Sequence, residues 1–171
     1  MKTPRDAGAR ALVPLAAGLL LSGIVVSSPA LGERTAATSS RAVVKVAYNK
    51  TLKKAIVVDA SGRTLYMFTE DKGGPVKICT AQGPYGRECP TIWPPLTSQV
   101  TPQAGKGIDA SKLGTTKRVD GKRQATYNGH PLYYFHGEPG IVGDKKPGEA
   151  RGEGFVGEWY VLSPKGTPIL P

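Results

Sequence analysis

Residues 129–138 read GHPLYYFHGE, and residues 62–71 read GRTLYMFTED. Leu65, Tyr66, Met67 and Phe68 return as Leu132, Tyr133, Tyr134 and Phe135 at an offset of 67, and Trp93 returns as Trp159 at an offset of 66. The echo makes the chain readable as a duplicated unit. Each copy holds an extended strand, a turn, a second strand, a glycine turn and an aromatic strand, then an irregular excursion that comes back to a tryptophan. The expected fold is all-β, with two related antiparallel meander halves, about 43–98 and 99–164, forming one compact domain.

Short runs rich in Val, Ile, Thr, Tyr and Phe, cut by turn dipeptides and lacking helical periodicity, support that class. The expected strands are Val43–Tyr48, Lys54–Asp59, Arg63–Thr69, Thr115–Val119, Lys122–Tyr127, Pro131–His136 and Trp159–Ser163. Asp120-Gly121 and Asn128-Gly129 are two-residue hairpin signals, because these residues tolerate the positive φ of a type I′ turn. Closing the first turn that way pairs Val119 with Lys122 and sets Arg118 opposite Arg123, two cations that repel unless solvent or an anion offsets them. Continuing over the second turn brings Arg123 beside Tyr134, within reach of a cation–π contact. Arg118, Lys122, Arg123, His130 and Tyr134 are therefore the candidate binding residues, suited to an anionic partner.

The first residues carry Lys2, Arg5 and Arg10, an apolar run from about Ala11 to Val26, and small residues around Ser28-Pro29-Ala30. This is the pattern of a secretory signal peptide over 1–30, cut after Ala30 or, on the same small-residue rule, after Gly32. Pro14, Gly18 and Gly23 interrupt a run already short of the roughly 20 residues a spanning helix needs, so no anchor is expected after cleavage. Residues 31–42 read as a flexible polar linker and 165–171 as a C-terminal tail. The formal charge is +10, and removal of 1–32, with three bases and one acid, leaves +8. For an exported protein that surplus suits anionic cell-wall polymer or lipid headgroups rather than nucleic acid.

Cys79 and Cys89, the two cysteines of the chain, lie ten positions apart in CTAQGPYGREC and should form a disulfide in an oxidising compartment. Closing so short a loop is worth about 2–3 kcal/mol on the chain-entropy model. The excursion of the second half, GDKKPGEARGEGFVGEW at 143–159, has no such cross-link and is expected to be the mobile one.

LYMFTED, the cysteine loop ending in WPPL, the YNGHPLYYF hairpin and the closing WYVLSP resemble the exported bacterial family of secreted repeats with a Y-x4-D motif, often described as predicted lipoproteins. The resemblance covers roughly Val43 to Pro164. It implies export and an internal repeat, and brings no reaction with it. The chain departs from the family in two ways. It has no cysteine just after the apolar run to take a lipid, and its motif reads Tyr66 to Asp71 in the first copy but Tyr133 to Glu138 in the second.

Five residues of extended strand cover about 16 Å, so Tyr66 meets Asp71 only if the chain turns soon after Phe68, as DKGGP allows. One reading makes the acid a turn cap and the tyrosine an inward ring with an anchored hydroxyl. The other makes each tyrosine and acid a ligand or proton-transfer pair. His130 and His136 are the two histidines of the chain. On a straight strand they lie about 20 Å apart, too far to share one ion, so no metal and no cofactor are expected. Asp59-Ala60-Ser61 recurs as Asp109-Ala110-Ser111 at an offset of 50, out of step with the repeat, and is read as coincidence. No G-x-S-x-G, S-x-x-K, H-E-x-x-H or P-loop is present. The expected protein is a non-enzymatic envelope or extracellular binding protein. The alternatives are an unfamiliar enzyme using the Tyr, acid and His groups, or an accessory of envelope electron transfer.

Overall fold

A computed structural model describes residues 41–71 and 73–170; the expected signal peptide and all but the last two residues of the linker lie outside them. The described chain is nearly all β. Its strands are β1 (Val43–Asn49), β2 (Lys54–Asp59), β3 (Tyr66–Phe68), β4 (Gln103–Ala104), β5 (Leu113–Lys117), β6 (Arg123–Tyr127), β7 (His130–Pro131), β8 (Gly137–Glu138), β9 (Ile141–Val142) and β10 (Trp159–Val161), with one α-helical turn, α1 (Cys89–Ile92), and a 3-10 turn at Ala110–Lys112.

β1 and β2 form an antiparallel hairpin with β4 added in parallel along β1. β5, β6 and β7 form the meander expected around the two glycine turns. The middle of the molecule, however, is not sorted by halves. β3 pairs with β10, Trp159 opposite Phe68 and Val161 opposite Tyr66. On the other side of β3, Tyr66 and Tyr133 exchange both N–H···O bonds at 2.9 Å. Beyond Tyr133 lies the WPPL segment, where Leu96 donates to Leu132 and Tyr134 donates to Pro94. Segments far apart in sequence thus run side by side: 159–161, 66–68, 132–134 and 94–96. The matching bonds come in pairs: Val57 N–H to Leu162 and Ala125 N–H to Leu96, Leu65 N–H to Val57 and Leu132 N–H to Ala125.

The Leu-Tyr-x-Phe phrase follows from being buried on both faces. Alternate residues of a strand point to opposite sides. Leu65, Met67, Leu132, Tyr160 and Leu162 enter one buried cluster with Val44, Val57 and Tyr127. Tyr66, Phe68, Tyr133, Phe135, Trp159 and Val161 enter the other, with Ile56, Val58 and Trp93. A strand covered on both sides has no solvated face and reads as a continuous apolar run. The Cys79–Cys89 disulfide, Cα–Cα 5.2 Å, belongs to the aromatic cluster and ties α1 to it.

The β5–β6 turn corrects the expected register. Lys117, not Arg118, faces Arg123, and Arg118 N–H donates to Lys122 across a three-residue loop. Gly121 adopts φ 81, and Asp120 Oδ1 accepts the Lys122 N–H at 3.1 Å, as in a turn followed by a glycine bulge. A slip of one residue exchanges the two faces of a strand. It turns Arg118 inward, where it is 3% exposed, while two cations still oppose each other at Lys117 and Arg123. The expected strand Pro131–His136 is regular only at its start, since after β7 the chain leaves β6 for Tyr66 and the WPPL segment. The two Asp-Ala-Ser stretches are the same device: Asp59 and Asp109 each accept the N–H and hydroxyl of the serine two residues on, a local Asx turn that needs no common ancestry.

Candidate functional site

The tyrosines and acids of the repeated motif do pair, but across the molecule. Tyr133 Oη donates to Asp71 at 2.6 Å, and Tyr66 Oη donates to Asp144 at 2.6 Å. Neither tyrosine bonds the acid five positions after it. Phe68 and Phe135 accept the N–H of Asp71 and Asp144, at 3.2 and 2.9 Å, so the two acids close equivalent turns. In the second stretch that turn is lengthened by the six residues of the β8–β9 hairpin, Gly137 to Val142. The counterpart of Asp71 is therefore Asp144. Glu138, the acid expected from spacing, lies on the interposed hairpin. At the hairpin's neck a Cβ on Gly143 would stand 2.0 Å from the His136 carbonyl carbon, and one on Gly137 would stand 2.3 Å from the Gly143 nitrogen. Only glycines allow the two strands to close there.

Burial, then the adjacent carboxylate, pushes both phenol pKa values far above the ordinary tyrosine value. Burial likewise raises those of Asp71 and Asp144, against the tyrosine hydrogen bonds that lower them. The pairs are fixed donors and acceptors. Tyr66 Oη also accepts the Gly152 N–H at 3.2 Å, and Asp144 accepts that of Arg151, so the glycine-rich excursion expected to be mobile is tied to the core. A Cβ on Gly152 would meet Trp93 at 2.6 Å and Phe135 at 2.9 Å.

Beside these pairs four rings stack in the order Phe68, Trp159, Trp93, Phe135, with centroids 4.2, 3.9 and 4.3 Å apart. Tyr66 meets Trp93 edge-on at 5.4 Å, and Tyr133 meets Trp159 edge-on at 5.2 Å. Each such pair contributes about 0.5–1.5 kcal/mol beyond area burial. The edge of the stack forms the floor of a cleft of about 230 Å³, walled by Tyr85, Ile92 and Phe155 and rimmed by Glu88, Glu138 and Glu158.

Residues 114–163 match the family model of a secreted repeat of unknown function. The matched stretch runs from within β5 through β10 and contains Tyr133, Glu138, Asp144 and Trp159. No curated protein and no solved structure gives a significant match to the chain.

Within the matched stretch, 114–163, the candidate binding residues separate. Arg118 donates to Asp120, Gln124 Oε1 and the Cys79 carbonyl at 3.1, 2.5 and 2.7 Å, so it clamps the disulfide loop to the β5–β6 hairpin. Arg123 donates to Thr115 Oγ1 and is half-buried. Tyr134 is covered by Arg63, 4.4 Å from its centroid, rather than by Arg123, and donates to Asp59. Lys122 is exposed. His130 is half-buried at the second glycine turn, while His136 is exposed past the end of the aromatic stretch. Burial lowers the pKa of both, helped at His136 by Arg63 and Lys145. Among the described residues no three His, Cys, Asp or Glu side chains gather as a metal set, and no helix is long and apolar enough to cross a membrane. Spacing missed Asp144 and the cleft; the Pro139-Gly140 turn signal inside HGEPGIVGD was the available clue to the inserted hairpin.

Proposed function

We propose that this is an exported, non-enzymatic binding protein of the envelope or extracellular space that holds anionic wall polymer or lipid headgroups through exposed lysines. The observation that carries the reading is the imbalance of charge pairing. The described residues form two ion pairs, Arg118 with Asp120 and Arg151 with Glu149. Lys50, Lys53, Lys54, Lys117 and Lys122 are exposed at hairpin ends and take part in neither. Secretion of the matched repeat supports the compartment. The tyrosine–acid pairs that an acid–base enzyme would present to a substrate are instead bonded to each other, and among the described residues neither histidine side chain hydrogen-bonds to them.

Retention of the protein on purified wall polymer and on anionic phospholipid vesicles tests the reading. Binding should weaken as salt is raised through physiological strength, where the screening length is about 8 Å. Lys117→Gln with Lys122→Gln should weaken it further, whereas Arg118→Lys should lower the melting temperature and leave retention in place. No retention at low salt, or retention indifferent to salt, overturns the reading.

A further inference from the structure

We propose that the cleft over the tryptophan stack binds a small organic ammonium ion. The site is independent of the lysine surface and opposite to it in charge. Its lining contains Glu88, Glu138 and Glu158 and no Lys, Arg or His, in a chain whose formal charge is +10. Most other carboxylates of the described residues are occupied: Asp59, Asp71, Asp109, Asp120, Asp144, Glu149 and Glu153 all accept hydrogen bonds from the protein's own groups. Among the described residues the side chains of the three cleft glutamates accept none, and Glu70 is the one other described acid in that condition. Negative charge without internal partners is thus concentrated around one apolar cavity.

The cavity's shape narrows the ligand class. Both faces of Trp93 and of Trp159 are covered within the stack, so the tryptophans offer edges, and the free aromatic surface belongs to Tyr85, 52% exposed, and Phe155. An alkyl body fits against the stack edge and Ile92, while the ammonium head sits between the tyrosine ring and the carboxylates. A volume of about 230 Å³ suits a small guest rather than a drug-sized one. Val156, at the rim, is 69% exposed and holds φ 48, a conformation costly for a β-branched residue; it keeps an apolar side chain at the mouth. A neutral guest would leave the carboxylates unanswered, and an anion would be repelled by them.

Both tryptophans of the chain line the cleft, so intrinsic fluorescence reads occupancy of the full-length protein, with calorimetry as a second readout. The probes are n-butylammonium, the neutral isostere 1-butanol and the anion butyrate. The expected result is saturable binding of the ammonium alone, weakened at least about tenfold in the variant combining Glu88→Gln, Glu138→Gln and Glu158→Gln. Tyr85→Ala should weaken it as well, and Glu70→Gln should not. Circular dichroism spectra matching the parent's keep a loss of binding from being a loss of fold. Equal binding of 1-butanol, unchanged affinity in the triple variant, or no saturation by the ammonium up to about 0.1 M overturns the proposal.

Discussion

A carboxylate withdrawn from water must find donors or hold its proton, and the motif acids do some of both. Asp71 accepts the Tyr133 hydroxyl, yet burial outweighs that bond and the charge of Arg118 and leaves its pKa raised. A raised carboxyl pKa favours the folded state while the group is protonated; the contribution is full below the ordinary Asp value and fades as pH rises through the folded one. Asp71→Asn keeps an acceptor for Tyr133 and cannot ionise. Its melting temperature should therefore gain on the parent's as pH is raised from about 3 to about 7, and thermal melts across that range check it. A difference that stays constant or shrinks would show that Asp71 is not held against ionisation. Nothing in the letters Y-x4-D reveals this, because a pairing distance in sequence carries no information on which acid reaches which tyrosine.

The elements read from the sequence best were those whose pattern is local. β1, β2 and the Asn128-Gly129 turn follow from alternation and from glycine's freedom at positive φ. The Asp120-Gly121 turn was misjudged by one residue, since the same dipeptide serves a two-residue loop or a bulged three-residue one, and the choice rests on Asp120 capping Lys122. β8 and β9 went unread because two-residue strands leave no periodicity. They form an insertion within the second of two equivalent turns, which makes them separable. Deleting 137–142 joins His136 to Gly143 and restores the Phe-x-x-Asp spacing of Phe68 to Asp71. The shortened protein should fold, keep the near-UV circular dichroism of the stacked tryptophans and melt within ~5 °C of the parent. A loss of cooperative unfolding would mean that the hairpin is part of the core turn and not an addition to it.

Across the whole molecule the two aromatic phrases hold each other. The Tyr66–Tyr133 backbone pair lies at the centre, β10 and the WPPL segment flank it, and the two tryptophans meet face to face between Phe68 and Phe135. Both phrases and both tryptophans were visible as an offset of 66–67 in the sequence. That they meet was not, because an echo shows likeness and not contact. Exchange of the tyrosine–acid bonds between remote segments makes the phrases interdependent: Asp71 is satisfied by residue 133 and Asp144 by residue 66. The most direct test is a pair of double-mutant cycles in unfolding free energy, one for Tyr133→Phe with Asp71→Asn and one for Tyr133→Phe with Glu138→Gln. Tyr133→Phe alone should cost about 1–3 kcal/mol by stranding a buried carboxylate. Coupling of at least ~1 kcal/mol to Asp71, with additivity within about 0.5 kcal/mol for Glu138, is the predicted result. Coupling to Glu138 and independence from Asp71 would contradict the crossed pairing.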